Sequence, residues 1–155
     1  MRNNLKFIDL FAGIGGFHIA LKELGHECVF ASELSTELRK LYKINHNIEC
    51  FGDITKINVK NIPEHDILCA GFPCQTFSKA GNQKGMQEAR GKLFYEIIKI
   101  LKYHKPRYFI LENVRNIISH DKGNTWHYIS EELTKLGYFI DKNIYSPHHI
   151  KYPSF

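Results

Sequence analysis

The stretch that decides the fold reads Asp66-Ile67-Leu68-Cys69-Ala70-Gly71-Phe72-Pro73-Cys74-Gln75. Its apolar run, residues 67–70, predicts a short buried strand. Gly71 and Pro73 then end that strand, because glycine permits a sharp turn and proline has no N–H to donate to a sheet. Cys74 therefore follows the end of a strand, at the edge where α/β folds bind their ligands. A thiol there is a candidate nucleophile, although most cysteines are structural.

The composition indicates a globular chain with one core. The chain has 155 residues, of which 43% are hydrophobic and 24% charged, and its net charge is +5. That charge is compatible with a polyanionic partner without requiring one. No apolar run approaches the ~20 residues of a membrane helix, and no signal peptide precedes the first strand, so we expect a cytoplasmic protein without a membrane partner. The four cysteines form no C-x-x-C pair, which makes zinc and thioredoxin-type chemistry unexpected.

A second informative segment lies near the N-terminus. Residues 6–11 predict a buried strand, and the glycine-rich turn of residues 12–16 follows directly. Apolar residues at helical spacing over residues 17–24 predict the next helix, which Gly25 ends. Strand, glycine-rich turn and helix open a nucleotide-binding βαβ unit, in which free N–H groups of the helix start face the ligand. Such a turn by itself can also be only a tight turn.

The rest of the chain alternates predicted strands and helices. Further strands are predicted at residues 28–32, 48–51, 108–111 and 139–145, with helices over residues 34–42, 93–101 and 126–136. This alternation predicts one doubly wound α/β domain with a mostly parallel sheet. Parallel strands end at a shared edge, so the polar residues that follow them should converge there. These are residues 11–16, Glu33, Asp53, Cys74 and Glu112.

Several of these residues also have plainer interpretations. An acidic residue at Glu33, about 20 residues past the glycine-rich turn, can hydrogen-bond a ribose diol, or it can simply stabilise a helix start. Asp53 could be an ordinary turn residue. The polar segment 75–89 is long for a connection, so it is either a functional lid or a solvated loop. The adjacent His148 and His149 point apart in extended chain and have no further ligand nearby, so no metal site is expected.

The motifs resemble those of the DNA (cytosine-5)-methyltransferase family. Phe11-Ala12-Gly13-Ile14-Gly15-Gly16 is similar to the first motif of that family, and Gly71-Phe72-Pro73-Cys74-Gln75 to its catalytic motif. Arg90-Gly91-Lys92-Leu93-Phe94 is similar to the helix start that follows, and Glu112-Asn113-Val114 to the glutamate motif. Their order and spacing match across nearly the whole chain.

The resemblance implies a Rossmann-like methyltransferase fold over residues 1–155, incomplete at the C-terminus. It implies S-adenosylmethionine as the cofactor, S-adenosylhomocysteine as the product, and no metal. Glu33 would bind the ribose, and Asp53 with Ile54 the adenine, beside which Leu34 would lie. The implied cofactor-binding residues are Phe11, Ala12, Gly13, Ile14, Gly15, Gly16, Glu33, Leu34, Asp53, Ile54, Phe72 and Leu93.

The resemblance also implies the reaction. Cys74 would attack carbon 6 of cytosine while Glu112 contacts the ring at nitrogen 3, and the methyl group would go to carbon 5. The substrate would be double-stranded DNA with the target cytosine flipped out, because the base cannot be reached inside a duplex. The resemblance points to a restriction–modification system of bacterial or phage type.

The C-terminal tail departs from the family pattern. The family carries a Gln-x-Arg-x-Arg segment where this chain reads Ile150-Lys151-Tyr152-Pro153-Ser154-Phe155, and the target-recognition region and final helix are absent. We therefore expect activity to need a C-terminal half or a second polypeptide. Two alternatives stay open. A non-catalytic S-adenosylmethionine-binding or partner-binding module would have no use for Cys74, and a dinucleotide-dependent oxidoreductase would usually have a third glycine where His18 stands.

Overall fold

The computed structural model describes residues 4–73 and 92–146, and the chain divides into two compact units, residues 1–113 and 114–155. The predicted nucleophile Cys74, the polar segment 75–89 and the pair His148 and His149 lie outside the described residues. In the part of the chain that is described, no helix has the length and apolar character needed to cross a membrane.

The first unit is built on a five-stranded parallel sheet. Its strands are β1 (Lys6–Leu10), β2 (Glu27–Ser32), β3 (Cys50–Phe51), β4 (Ile67–Gly71) and β5 (Tyr108–Glu112). They are connected by α1 (Gly16–Glu23), α2 (Thr36–His46), α3 (Lys92–His104) and two short 3-10 helices, Ile54–Lys56 and Val59–Asn61. All neighbouring strands are parallel, in the order β3-β2-β1-β4-β5. The predicted Rossmann-like parallel sheet is therefore confirmed.

The strand order reverses between β1 and β4, which form the centre of the sheet. Leu10 at the end of β1 lies opposite Ala70 near the end of β4. The glycine-rich turn and the Gly71-Phe72-Pro73 turn therefore start side by side, although they are some 60 residues apart in sequence. Open parallel sheets bind ligands at such a reversal, outside the carboxyl ends of the strands.

The core is densest at the two central strands. Phe7, Ile8 and Leu10 of β1 and Leu68 and Cys69 of β4 have no exposed surface. Continuous burial of this kind is typical of a parallel strand covered on both faces, which is why these strands read as unbroken apolar runs. The predicted placing of Cys28 and Cys69 within strands is confirmed.

Local signals account for the ends of the helices. Ser35 precedes α2, and its hydroxyl accepts a hydrogen bond from the amide of Leu38 at 3.3 Å. Gly25, with a φ of 88°, follows α1, where its N–H bonds to the carbonyl of Lys22. The prediction that Gly25 ends this helix is confirmed, since a positive φ favours glycine.

The second unit contains two short 3-10 helices, Arg115–Ile118 and His120–Gly123, followed by α4 (Asn124–Lys135). Gly137 ends this helix with a φ of 89°, as predicted. The sixth strand predicted over residues 139–145 is wrong, because these residues have no regular secondary structure. Phe139 and Tyr145 are 93% and 80% exposed. A strand exists only through pairing, and the described residues offer this segment no partner strand, whatever its apolar content.

Candidate active site

The glycine-rich turn is a strained segment pinned at both ends. Phe11, Gly13 and Gly15 all have positive φ values, of 55°, 55° and 92°. The amide of Ala12 bonds to the carbonyl of Ser32 at the end of β2, and the amide of Gly15 bonds back to the carbonyl of Ala12 at 2.8 Å. Because Phe11 pays for an unfavourable conformation that glycine would adopt freely, the geometry of this turn is imposed by its surroundings.

Glu33 ties the glycine-rich turn to the start of α2. One carboxylate oxygen accepts the amide of Gly13 at 3.0 Å, and the other accepts the amide of Ser35 at 2.9 Å. The side chain is half-buried at the end of β2. Each oxygen keeps a second lone pair for a ligand. Sequence reasoning assigned Glu33 only to a ligand and missed this internal role, because the contact to Gly13 spans 20 residues.

The residues expected around an adenine lie beyond the ends of β2 and β3. Leu34 is 73% exposed, whereas Ile54 is buried. Asp53 begins the first 3-10 helix and accepts hydrogen bonds from both the amide and the hydroxyl of Thr55, at 3.0 and 2.8 Å. The bond from the Thr55 hydroxyl is the main reason that the pKa of Asp53 lies below its usual value. Asp53 is thus both a turn residue and a fixed carboxylate at the sheet edge.

At the carboxyl ends of β4 and β5 the structure brings Glu112 against Gly71. The two residues are register partners, and a Cβ added to Gly71 would lie 3.3 Å from Oε2 of Glu112. The side-chain amide of Asn113 donates to the carbonyl of Phe72 at 2.6 Å. The ring of Phe72 in turn packs on Phe94 of α3, with centroids 5.8 Å apart. Asn113 therefore anchors the turn that leads to Cys74, a role that its place beside Glu112 did not reveal.

The predicted convergence of strand-end groups is confirmed for the described residues. The glycine-rich turn, Glu33, Asp53 and Glu112 all follow parallel strands of one sheet, at one edge. Leu93 lies in the first turn of α3 and is half-buried. Beside the turn there is open space, since a Cβ built on Gly13 or Gly16 would meet no atom within 4 Å. The edge can therefore receive a nucleoside-sized ligand at its backbone amides and carboxylates.

A buried polar chain runs beneath the glycine-rich turn. The hydroxyl of Tyr42 donates to a carboxyl oxygen of Asp9 at 3.1 Å, and Nδ1 of His18 lies 2.8 Å from the same hydroxyl. Burial is the main cause that raises the pKa of Asp9 to about 7, and burial also lowers the pKa of His18 to about 4. Sequence reasoning missed this chain, since Asp9 reads as one residue of an apolar strand and His18 only as a missing glycine.

The described cysteines are poor nucleophiles. Burial raises the pKa of Cys28 to about 11 and that of Cys50 to about 12, and it raises the pKa of Cys69 further still. The thiolate is the reactive form, so these three thiols are almost wholly protonated at neutral pH. Cys74 lies outside the described residues, and its higher reactivity stays a prediction.

Other features of the described chain do not compete with this edge. No group of three or more His, Cys, Asp or Glu side chains among residues 4–73 and 92–146 is arranged to hold a metal ion. A cavity of about 720 Å³ lies at the opposite, amino edge of the sheet, beside Lys6, His65 and His104. There His65 and His104 bond to the carbonyls of Pro63 and Val59, so their ring nitrogens already serve the protein.

Comparison with known proteins identifies the family. The family model described as C-5 cytosine-specific DNA methylase matches residues 5–153, nearly the whole chain. The chain belongs to this family. Within it, the chain is 48% identical over 134 residues to the type II methyltransferase M.HhaI of Haemophilus parahaemolyticus, covering 86% of this chain and 41% of that protein. It is likewise 48% identical over 145 residues to M.DsaV of Dactylococcopsis salina, covering 94% of this chain and 41% of that protein.

A solved structure supports the fold independently of close sequence similarity. The Entamoeba histolytica methyltransferase EhMeth matches with a TM-score of 0.75 over 96% of this chain and 49% of that one, at 21% identity. This C-5 cytosine methylase chain spans about two fifths of the length of the curated relatives it matches. The predicted family and the predicted methyltransferase-type fold are both confirmed.

Proposed function

We propose that this chain is the cofactor-binding and nucleophile-bearing part of a DNA cytosine-5 methyltransferase. One observation carries the proposal. The glycine-rich turn held by Glu33, and the carboxylate of Glu112 beside Gly71, open at the same sheet edge on either side of the reversal in strand order. Cys74 follows Gly71 by three positions in the sequence. A nucleoside site, a carboxylate and a thiol then meet at one edge.

The cofactor of the proposal is S-adenosylmethionine, which supplies an electrophilic methyl group. The amides of the glycine-rich turn and the free lone pairs of Glu33 would bind its polar groups, with Glu33 on the ribose hydroxyls. Asp53 and Ile54 would hold the adenine beside Leu34, one by its carboxylate and the other by apolar contact. The open space beside Gly13 and Gly16 supports this assignment. The further contacts proposed are with Phe11, Ala12, Ile14, Gly15, Phe72 and Leu93.

In the proposed reaction Cys74 supplies the electron pair that cytosine lacks at carbon 5. Its thiolate adds to carbon 6 and forms a carbon–sulfur bond, while Glu112 holds a proton at nitrogen 3 to balance the charge of the ring. Carbon 5 then takes the methyl group, a base removes the proton from carbon 5, and the thiolate leaves. Asn113 would keep the turn before Cys74 in place through its bond to the carbonyl of Phe72.

The proposed substrate is double-stranded DNA from which the cytosine is flipped, within a restriction–modification system. The relatives that match this chain are named type II methyltransferases. The chain matches only about two fifths of their length, so we infer that DNA recognition and full activity depend on a further C-terminal part or a second polypeptide. Specific DNA complexes usually bury ~1,000–2,500 Å² of protein, which needs a larger surface than the sheet edge.

The test is transfer of labelled methyl from S-adenosylmethionine to cytosine-rich DNA. This chain is assayed alone and then together with a polypeptide that supplies the C-terminal part of a related enzyme. We expect no useful rate from the chain alone and restored transfer with the complement. Cys74→Ser should abolish the restored activity, whereas Cys28→Ser is the matched control and should retain it, because the Cys28 thiol is held protonated within β2.

Each other outcome points to a different function. Robust transfer by the isolated chain would overturn the need for a further part. No transfer with the complement, despite binding of S-adenosylmethionine, would favour a non-catalytic binding module. Tighter binding of a nicotinamide dinucleotide than of S-adenosylmethionine would overturn the methyltransferase assignment in favour of an oxidoreductase.

A further inference from the structure

Two histidine rings stack beneath the glycine-rich turn. His18 of α1 and His46, the last residue of α2, have ring centroids 4.1 Å apart and planes inclined by 19°. His18 is buried, and its Nδ1 is held by the hydroxyl of Tyr42, which donates to Asp9 in the central strand. The His46 ring therefore rests on a ring that is itself tied to the core of the sheet.

His46 holds the turn directly. Its Nε2 lies 2.9 Å from the carbonyl oxygen of Ile14, the middle residue of the glycine-rich turn. A carbonyl can only accept, so Nε2 carries the hydrogen and donates it. The bond joins residues 32 positions apart, from the end of one helix to the turn that begins another.

Gly15 is shaped around His46. A Cβ at Gly15 would lie 2.1 Å from Nε2 of His46, far inside van der Waals contact, and the φ of 92° also favours glycine. Gly13 and Gly16 differ, since a Cβ on either would meet no atom within 4 Å. The glycine at position 15 is therefore required by the protein's own histidine, whereas the space beside Gly13 and Gly16 stays open for a ligand.

We propose that His46 is a positioning residue of the S-adenosylmethionine site, which fixes the glycine-rich turn by donating from Nε2 to the carbonyl of Ile14. This inference rests on the proposed function. A turn that is already fixed loses less conformational freedom when a ligand binds to its amides, so the same contacts give a higher affinity. His18, Tyr42 and Asp9 support the ring of His46 from below and do not touch the ligand.

Three substitutions separate the donor from the ring. In glutamine the amide nitrogen is as many bonds from Cα as Nε2 is in histidine, so His46→Gln can keep the bond to Ile14. In asparagine the amide corresponds to Nδ1, so His46→Asn keeps a polar group but loses the bond. His46→Phe keeps a ring for the stack on His18 without a donor.

His104 provides a matched control. It is the last residue of α3, and its Nε2 lies 2.9 Å from the carbonyl of Val59, the same kind of bond at the opposite edge of the sheet. His104→Phe should lower the free energy of unfolding as His46→Phe does, without changing the affinity for the cofactor. A general loss of stability is thereby distinguished from a loss of positioning.

Two measurements are made on the 155-residue chain. Calorimetry gives the Kd for S-adenosylmethionine, and NMR gives the hydrogen-exchange rate of the Gly15 amide, which bonds to Ala12 within the turn. For His46→Phe and His46→Asn we expect both the Kd and the exchange rate to rise about twofold to tenfold, the range for one net hydrogen bond. His46→Gln and His104→Phe should stay within about twofold of the wild-type values.

The outcomes are distinguishable. Unchanged Kd and exchange in His46→Phe and His46→Asn would overturn the positioning role, and so would a His46→Gln variant that loses as much as His46→Phe. Faster exchange with an unchanged Kd would also overturn it, while leaving the cofactor proposal intact. A wild-type chain that binds no S-adenosylmethionine would instead refute the proposed function. If His46→Phe does not fold, His46→Gln against His46→Asn decides the same question.

Discussion

Replacing Asp9 with asparagine is expected to change how the stability of the chain depends on pH. Asp9 has no exposed surface, and burial raises the pKa of its carboxyl group from 3.8 to about 7. Between these values the folded chain holds a proton that the unfolded chain has released. The free energy of unfolding therefore falls as the pH rises through this window.

His18 acts in the opposite direction. Burial lowers its pKa from 6.5 to about 4, so between these values the unfolded chain binds a proton that the folded chain does not. Stability due to His18 is therefore lost as the pH falls through this window and gained as it rises. Because Tyr42 bonds to both side chains, the two opposing effects belong to one buried chain of hydrogen bonds.

The size of each effect follows from the pKa values. A proton bound by only one state changes the free energy of unfolding by about 1.4 kcal/mol per pH unit. From about pH 5 to about pH 6.5, Asp9 removes about 2 kcal/mol and His18 adds about 2 kcal/mol, so the two nearly cancel in the wild-type chain. Asp9→Asn should make stability rise by about 2 kcal/mol over this interval relative to wild type, and His18→Asn should make it fall by about as much.

Urea denaturation at the two pH values tests this on the wild type, both single variants and the double variant. Asparagine at position 9 can still accept from Tyr42, and asparagine at position 18 can still donate to it, so the network loses its titration more than its bonds. Burial also lowers the pKa of His65, but that contribution is common to all four proteins. If Asp9→Asn showed the same pH dependence as wild type, the buried, protonated Asp9 would be refuted.

Two further predictions concern the ligand and the thiols. Glu33→Gln should weaken binding of S-adenosylmethionine by about 1–3 kcal/mol in calorimetry, because a charged acceptor is lost, whereas Glu37→Gln on exposed α2 should have no effect. Equal affinity of Glu33→Gln and wild type would remove Glu33 from the site. Limited alkylation near neutral pH, mapped by mass spectrometry, should label Cys74 before Cys28 and Cys69, whose pKa values burial raises. Preferential labelling of Cys28 or Cys69 would count against a nucleophile at Cys74.

Much of the fold could be read from local sequence. The apolar runs at residues 6–11 and 67–70 predicted the central strands β1 and β4 to within a residue at each end. Gly25 and Gly137 ended their helices as expected, since both have a positive φ that glycine adopts without strain. Such signals act between neighbours in the chain, so they are present in the sequence before it folds.

The failed sixth strand shows where local reasoning stops. Residues 139–145 have enough apolar side chains for a strand, but a strand is stable only when its N–H and C=O groups find a partner. Pairing is a property of the folded chain. In this structure Phe139 and Tyr145 are exposed instead of buried in a sheet.

The sequence by itself determined the family, the parallel α/β architecture and the edge at which the strand-end groups meet. Only the tertiary structure decided what holds that edge together: Glu33 grips the amide of Gly13, Asn113 grips the carbonyl of Phe72, and His46 grips the carbonyl of Ile14. These bonds join residues 20, 41 and 32 positions apart. No periodicity or spacing records them, because the two partners come within reach only after the sheet and helices have packed.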